Sequence, residues 1–327
     1  EDVVIGKSRR LEVRQLRQED DEQDNSTSPF PVVFSCPING RITSMVPLTL
    51  AYHETSLLFL TTDQYQYAVI GYDDDDETTT SGGTNGGAGT GGSIRTFTSG
   101  SLKDDWTVLG TLSECGPLVT VDPHMRCLVL HLYDGLVTIF PILPRPAVSR
   151  SSPHNILGPV FHARLEERTL LAICMLHHLD PSLSPPHLTL LHQDSRGAQH
   201  ITTHVVDLPK SQLWSVTSGA GHQLPGHCEW LKKSRIDGGS SILMAVPPPV
   251  APVAAAASAS TNTNGATPPL SGGVVILGQR QITYCALHHY KVMPIPPALL
   301  LSCDPLPPDA SGMPRFLLGD EFGNLHL

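Results

Sequence analysis

Short apolar runs joined by tight polar turns recur along the chain of 327 residues, and this hairpin pattern most constrains the fold. The runs are short and rich in Val, Ile, Leu and Thr, which is typical of strands. No long segment has the 3.6-residue period of a helix, so we predict an all-β chain with low helix content. The turns that join the apolar runs lie at residues 6–9, 63–64, 134–135, 194–197, 278–280 and 319–323.

The hairpin at Asp134-Gly135 indicates what kind of sheet the runs form. Asp-Gly between two apolar runs is a strong signal for a two-residue turn. Both faces of this hairpin are mostly apolar, whereas a sheet with one face in water alternates apolar and polar residues. A core strand of a β-sandwich would look similar, but the blades of a β-propeller are also buried on both faces. The two-residue turn predicts the cross-strand pairs Tyr133–Leu136, Leu132–Val137, His131–Thr138 and Leu130–Ile139.

The spacing of the hairpins favours the propeller over the sandwich. The longest gaps are low-complexity segments, which we predict to be disordered insertions at about 74–93 and 247–273. Further loops are predicted at about 17–29, 144–155 and 209–239. Without these segments a unit of roughly 40 to 50 residues remains, which is the size of a propeller blade. The whole chain is therefore predicted to be a single β-propeller domain.

The charge is concentrated in two acidic runs. The formal net charge is −10, and residues 19–24 and 73–77 carry ten of the 31 Asp and Glu residues. The other 21 acidic residues balance the 21 Lys and Arg residues, so the rest of the chain is neutral. Because nucleic-acid affinity comes mostly from clustered Lys and Arg, we expect no direct nucleic-acid binding.

The cysteines and the hydropathy point to a reducing compartment. Seven Cys residues form no C-x-x-C motif, which fits reduced thiols in a nucleus or cytosol. No apolar run approaches the roughly 18 residues that a membrane helix needs, so no membrane association is expected.

Two C-x-x-H-H motifs, at residues 174–178 and 285–289, are the only candidates for metal chemistry. A zinc site needs converging ligands, but positions i and i+3 of a strand point to opposite faces. We therefore expect no metal, no cofactor and no catalytic residue. A metal-dependent enzyme that uses His177 and His288 is kept as a remote alternative.

A set of short motifs resembles a known family. Residues 116–127, with an Asp-Pro turn, run into Leu132-Tyr133-Asp134-Gly135-Leu136. This run is similar to the first propeller in the family of the large subunit of damage-specific DNA-binding protein. Relatives with the same three-propeller plan occur in splicing factor 3b and in the cleavage and polyadenylation specificity factor. Further motifs match in the same order at residues 164–167, 193–197, 276–279, 282–284 and 316–320.

The resemblance implies a non-catalytic adaptor. This family links a cullin-4 scaffold to interchangeable substrate receptors in a nuclear ubiquitin ligase that serves DNA repair, with a cytoplasmic pool also expected. The chain would be an incomplete first propeller, seven-bladed in full, that docks receptors, whereas the cullin site would lie on propellers outside it. An RNA-processing scaffold of the splicing or polyadenylation machinery is the alternative from the related branches.

The resemblance also implies site residues. The last matching turn lies on the receptor-facing side in the family and reads Asp-x-Glu-Gly-Arg-Leu there. Here it is Asp320-Glu321-Phe322-Gly323-Asn324-Leu325, with Asn in place of Arg. We expect Asn324 and Leu325 to contact partners, and we expect Asp134 and Gly135 to form a structural turn.

Overall fold

The fold was taken from a computed structural model, and every regular element that it describes is a β-strand, which confirms the all-β prediction. In the part of the chain that it describes, no helix is long and apolar enough to cross a membrane. The strands fall into two compact units, Glu1–Leu109 with Leu143–Leu157 (unit 1) and Gly110–Ile142 with Gly158–Leu327 (unit 2). The described residues are 2–15, 30–53, 55–73, 93–103, 110–144, 155–177, 184–215, 236–248, 272–286, 290–309 and 312–327.

Unit 1 holds two antiparallel sheets in which strands pair in chain order. The first strands of the two sheets, β1 and β4, contact each other. Sheet 1 consists of β1 (Asp2–Lys7), β2 (Arg10–Gln15) and β3 (Val32–Pro37). Sheet 2 consists of β4 (Ile42–Leu48), β5 (Leu57–Thr62), β6 (Gln66–Asp73) and β7 (Ser93–Ser101).

Unit 2 holds four further antiparallel sheets of the same order. Sheet 3 consists of β8 (Leu118–Val121), β9 (Cys127–Tyr133), β10 (Leu136–Pro141) and β11 (Phe161–Arg164). Sheet 4 consists of β12 (Thr169–Met175), β13 (His187–Gln193), β14 (Gln199–Asp207) and β15 (Gln212–Ser215). Sheet 5 consists of β16 (Ile242–Val246), β17 (Gly273–Leu277), β18 (Gln281–Cys285) and β19 (Tyr290–Pro294). Sheet 6 consists of β20 (Leu300–Leu306), β21 (Arg315–Asp320) and β22 (Leu325–His326).

Sheet 4 is buried on both faces, as the sequence predicts for a propeller blade. One face packs against sheet 3, where Leu190 lies in one apolar cluster with Val129 and Ile139. The other face packs against sheet 5, where Leu191 lies in a second cluster with Val274. The first strands β8, β12, β16 and β20 contact one another in succession. Unit 2 is therefore a series of stacked sheets with their first strands side by side.

The hairpin at Asp134-Gly135 forms, but the predicted register is wrong beyond the first pair. Tyr133 pairs with Leu136 as expected, after which a bulge shifts the ladder, so that Val137 pairs with His131. Gly135 has a φ of 68°, and Asp134 is not among the residues with positive φ. A two-residue type I′ turn needs positive φ at both central residues. The single left-handed glycine instead fits a turn that ends in a β-bulge, which leaves Leu132 outside the ladder.

The loop prediction is wrong at one end of the segment 209–239. Residues 212–215 form β15, whose Trp214 pairs with Val205 of β14. Its alternation of exposed and half-buried residues is too short to stand out in sequence. Two other predicted insertions overlap strands by one residue, since Ser93 begins β7 and Gly273 begins β17. The remaining loop predictions fall mostly outside the described residues, at 16–29, 74–92, 145–154, 216–235 and 249–271.

Truncation of Leu190 tests the stacking of sheets 3 and 4. Leu190 is fully buried, so Leu190→Ala removes apolar contacts and leaves a cavity. We expect a loss of about 2–5 kcal/mol in the free energy of unfolding, measured by urea titration. Leu301→Ala is the matched control, because Leu301 is 62% exposed. Equal losses for the two variants would show that this face is not a packed core.

Candidate functional site

The Asp134-Gly135 corner is held by backbone hydrogen bonds on both sides. The N–H of Asp134 donates to the carbonyl oxygen of Thr111 at 2.9 Å, and the N–H of Leu165 donates to that of Gly135 at 2.8 Å. Leu136 also pairs with Arg164 of β11. The two motifs of the family resemblance, at 132–136 and 164–167, are thus neighbours in space. The hydrogen bonds at this corner join backbone atoms, and a structural role for Asp134 and Gly135 stays a prediction.

The turn between β21 and β22 is built around one carboxylate. Oδ1 of Asp320 accepts hydrogen bonds from the N–H groups of Phe322 (2.9 Å) and Asn324 (2.8 Å). Oδ2 accepts from the side chains of Asn324 (3.0 Å) and His326 (3.0 Å). The bonds from His326 and Asn324 hold the pKa of Asp320 well below its usual range. A carboxylate with four donors fixes the turn, including the orientation of its exposed residues.

The turn between β13 and β14 repeats this design. Oδ1 of Asp194 accepts from the N–H groups of Arg196 and Ala198, both at 2.8 Å, and Oδ2 lies 3.1 Å from Nε2 of His200. Both turns therefore share the pattern D-x-x-G-x-x-H. Gly197 and Gly323, at the fourth position, have φ of 80° and 82°, a conformation that favours glycine. The sequence carries this repeat, but the hairpin pattern alone does not identify it.

Hydrogen bonds link the corners of sheets 4, 5 and 6 into one surface, which we call the corner surface (turns 194–197, 278–280 and 319–323 with segments 236–240 and 295–299). Gln199 donates to the carbonyl oxygens of Gly238 (2.9 Å) and Ser240 (3.1 Å). The N–H of Arg280 donates to Oδ2 of Asp237 at 2.8 Å. Two backbone bonds complete the series, from Ala298 N–H to Gln279 oxygen and from Glu321 N–H to Leu299 oxygen, both at 3.0 Å.

The corner surface presents apolar side chains to solvent at the sixth sheet. Phe322, in the turn, is 75% exposed, and Leu325, which begins β22 directly beside the corner surface, is 70% exposed. The sequence predicts Leu325 as a partner contact, which stays a prediction, and it did not indicate Phe322, which stands at the third position of the D-x-x-G turn. The side chain of Asn324 is engaged with Asp320 inside the turn, so its role in partner contact stays a prediction. Exposed aromatic side chains on a fixed turn are typical anchors of protein interfaces.

The C-x-x-H-H motifs are only partly described. Cys174 and Cys285 lie in the same buried apolar cluster, and burial raises the pKa of the Cys174 thiol. Burial also lowers the pKa of His177. Among the described residues no group of three His, Cys, Asp or Glu side chains is placed to hold a metal ion. His178, His288 and His289 lie outside the described residues.

Stacked, meandering antiparallel sheets of up to four strands define the class of protein, a β-propeller. Residues 1–327 match the family described as the RSE1/DDB1/CPSF1 first beta-propeller. The chain belongs to this family, which confirms the propeller fold and the resemblance. Six sheets are described, and seven blades in full stay a prediction.

Several named relatives match at modest identity. DNA damage-binding protein 1b of Arabidopsis thaliana is 24% identical over 329 residues, which cover 99% of this chain and 23% of the relative. DNA damage-binding protein 1 of Solanum lycopersicum is 26% identical over 326 residues, with the same coverage. DNA damage-binding protein 1 of Schizosaccharomyces pombe is 26% identical over 183 residues, 56% of this chain and 15% of the relative. The chain thus spans less than a quarter of the length of these relatives.

Substitution of Gly135 tests the structural role of the corner. An added Cβ would lie 3.4 Å from the carbonyl oxygen of Leu165, and the φ of 68° is strained for any L-residue with a side chain. We expect Gly135→Ala to lower the free energy of unfolding by about 1–2 kcal/mol, measured by urea titration. Gly238→Ala is the control, because an added Cβ there meets nothing within 4 Å. A neutral Gly135→Ala variant would contradict the structural role.

Substitution of Asp320 tests the carboxylate-centred turn. Asp320→Asn replaces a carboxylate that accepts four hydrogen bonds, so the N–H groups of Phe322 and Asn324 lose a charged acceptor. We expect amide hydrogen exchange at these two residues to accelerate severalfold at pH 7, measured by mass spectrometry. Asp304→Asn, on β20 of the same sheet, should leave the exchange unchanged.

The lowered pKa of Asp320 predicts that, in the wild type, the protection of these two N–H groups persists on acidification to pH 4, because the carboxylate stays ionised. Loss of protection near pH 5 would contradict this.

Proposed function

We propose that this chain is the receptor-docking propeller of a non-catalytic adaptor in a cullin-4-type ubiquitin ligase that serves DNA damage repair. The observation that carries the proposal is the family match over residues 1–327. The relatives named DNA damage-binding protein 1 support the repair pathway, and they cover 99% of the chain. The adaptor would act in the nucleus, with a pool in the cytoplasm.

The chemistry of the described residues favours a scaffold over an enzyme. The carboxylates of Asp194, Asp237 and Asp320 accept hydrogen bonds from backbone N–H groups and thereby fix turns. Such carboxylates are engaged structurally and are poorly suited to acid–base chemistry. An aromatic residue exposed on a fixed turn suits the binding of another protein instead. The exposed aromatic side chain and the fixed turns of the corner surface therefore suit a scaffold role.

The proposed partners are the substrate receptors of the ligase. Phe322 and Leu325 would form the apolar contact, with Asn324 beside them. The cullin would be bound by other propellers of a full-length protein, not by residues 1–327. The neutral charge outside the two acidic runs supports binding to proteins and not directly to nucleic acid.

The test is affinity purification of the full-length protein from nuclear extract, with mass spectrometry of co-purified proteins. The wild type should co-purify cullin-4 together with its receptors. The double variant Phe322→Ser, Leu325→Ser should reduce receptor recovery by about tenfold or more, because anchors of this kind carry much of the binding energy. Cullin-4 recovery should stay unchanged.

Met313→Ser is the matched control, because Met313 is also exposed, at 46%, but precedes β21 at the end of that strand opposite to the turn 319–323. It should keep both cullin-4 and receptors. Recovery of splicing or polyadenylation factors in place of cullin-4 would favour the RNA-processing alternative, since the family description also names RSE1 and CPSF1. Unchanged receptor recovery by the double variant would contradict the proposed contact.

A further inference from the structure

Two histidines meet at the corner end of the β13–β14 hairpin, and a third, His204, lies further along β14, where it pairs with Leu188. His192 pairs directly with His200 across the two strands, and their ring centroids are 5.6 Å apart at an interplanar angle of 31°. His204 follows four residues after His200 on β14, so both side chains lie on the same face of the strand. This face is the one on which Leu190 and Val206 pack toward sheet 3.

Two of the three histidines have a carboxylate partner. Nε2 of His200 lies 3.1 Å from Oδ2 of Asp194. Nε2 of His204 lies 3.4 Å from Oε1 of Glu167, in the connection between sheets 3 and 4, and both side chains are almost fully buried. Burial raises the pKa of Glu167, but hydrogen bonds, led by the one from His204, outweigh it and lower the pKa to about 2. Glu167 is therefore a carboxylate at every pH between 5 and 8.

His192 is the third histidine, and its Nε2 is buried with no hydrogen-bond partner among the described residues. Burial lowers the pKa of His192. The carboxylates of Glu167 and Asp194 act in the opposite direction, whereas positive charge on His200 and His204 adds to the lowering. These four side chains are the charged or titratable groups that act on His192. The closed hairpin therefore favours a neutral His192.

We propose that His192 is the trigger of a proton-sensitive latch that holds the corner end of the β13–β14 hairpin closed at neutral pH. When His192 takes up a proton, the new charge lies beside His200, and the buried Nε2 has no hydrogen-bonded carboxylate among the described residues. The hairpin end then opens so that the charged ring reaches water. Because the turn 194–197 belongs to the corner surface, opening changes the shape of that surface whichever partner it binds.

The direction of the pH dependence follows from proton linkage. An open hairpin leaves His192 with an ordinary pKa of about 6.5, higher than in the closed hairpin. Opening is therefore accompanied by proton uptake, and it becomes more favourable as the pH falls below about 6.5. Above that pH both states carry a neutral His192, so His192 adds no pH dependence to the equilibrium. Glu167 and Asp194, whose pKa values are lowered, stay ionised between pH 5 and 7 and add no dependence there.

The experiment is amide hydrogen exchange of the full-length protein at pH 7.5, 6.5 and 5.5, corrected for the intrinsic exchange rate at each pH. Peptides from residues 187–207 should lose protection by up to about tenfold per pH unit below 6.5, the limit for one proton. Peptides from residues 273–285 are the internal control, because this equivalent hairpin of sheet 5 contains no histidine. Equal pH dependence of the two hairpins would overturn the proposal.

Two variants separate His192 from other histidines. His192→Gln should make the loss of protection of residues 187–207 between pH 7.5 and 5.5 severalfold smaller than in the wild type, with His187, His200 and His204 still present in this hairpin. His124→Gln, in the exposed turn after β8, should keep the dependence of the wild type. Retention of the full wild-type dependence in His192→Gln would overturn the proposal.

A measurement on the wild type covers the case in which His192→Gln does not fold. Hydrogen exchange at the imidazole C2 position, measured by mass spectrometry, gives the titration midpoint of each histidine. We expect a midpoint for His192 below about 6.5, the ordinary histidine value. A midpoint at or above that value would overturn the proposal, because the closed hairpin would then not disfavour the charged ring.

Discussion

Burial of both faces of its central sheet is the constraint on which the structure of unit 2 depends. Sheet 4 packs on sheet 3 through Leu190 and on sheet 5 through Leu191. Full burial of each such side chain contributes about 2 kcal/mol. A sheet covered on both faces has no face left for a ligand, so only its corners, edges and connections meet solvent. The functional surface must therefore be found there.

The corners of the sheets are held in a fixed shape by local hydrogen bonds to Asp side chains. A turn has backbone N–H groups that no ladder satisfies, and a preceding Asp can accept from two of them at once. Asp194 and Asp320 do so in the same way, and each also engages a histidine six residues later. The acidic side chains of this surface thus stabilise geometry, and the exposed Phe322 and Leu325 provide apolar area for binding. Shape and apolar contact define the corner surface more than charge does.

The same packing explains why a histidine cluster can be sensitive to protons. His200 and His204 lie beside carboxylates, whereas the Nε2 of His192, which pairs with His200, is buried with no hydrogen-bond partner among the described residues. The burial on both faces that stabilises the apolar residues of β13 disfavours a charge on the residues at the end of this strand. The proposed pH sensitivity therefore has the same physical origin as the stability of the hairpin. His192 differs from the other two in that its Nε2 has no hydrogen-bond partner among the described residues.

The sequence by itself determined the hairpins, the all-β class and the burial of both faces, because strand runs and turn residues are local signals. It also carried the family resemblance through motifs that proved to be neighbours, at 132–136 and 164–167. Only the tertiary structure decided the register at Gly135, since one left-handed residue instead of two produces a bulge. Only the tertiary structure revealed the exposed Phe322 and the histidine cluster, because exposure and cross-strand distance depend on partners far apart in sequence.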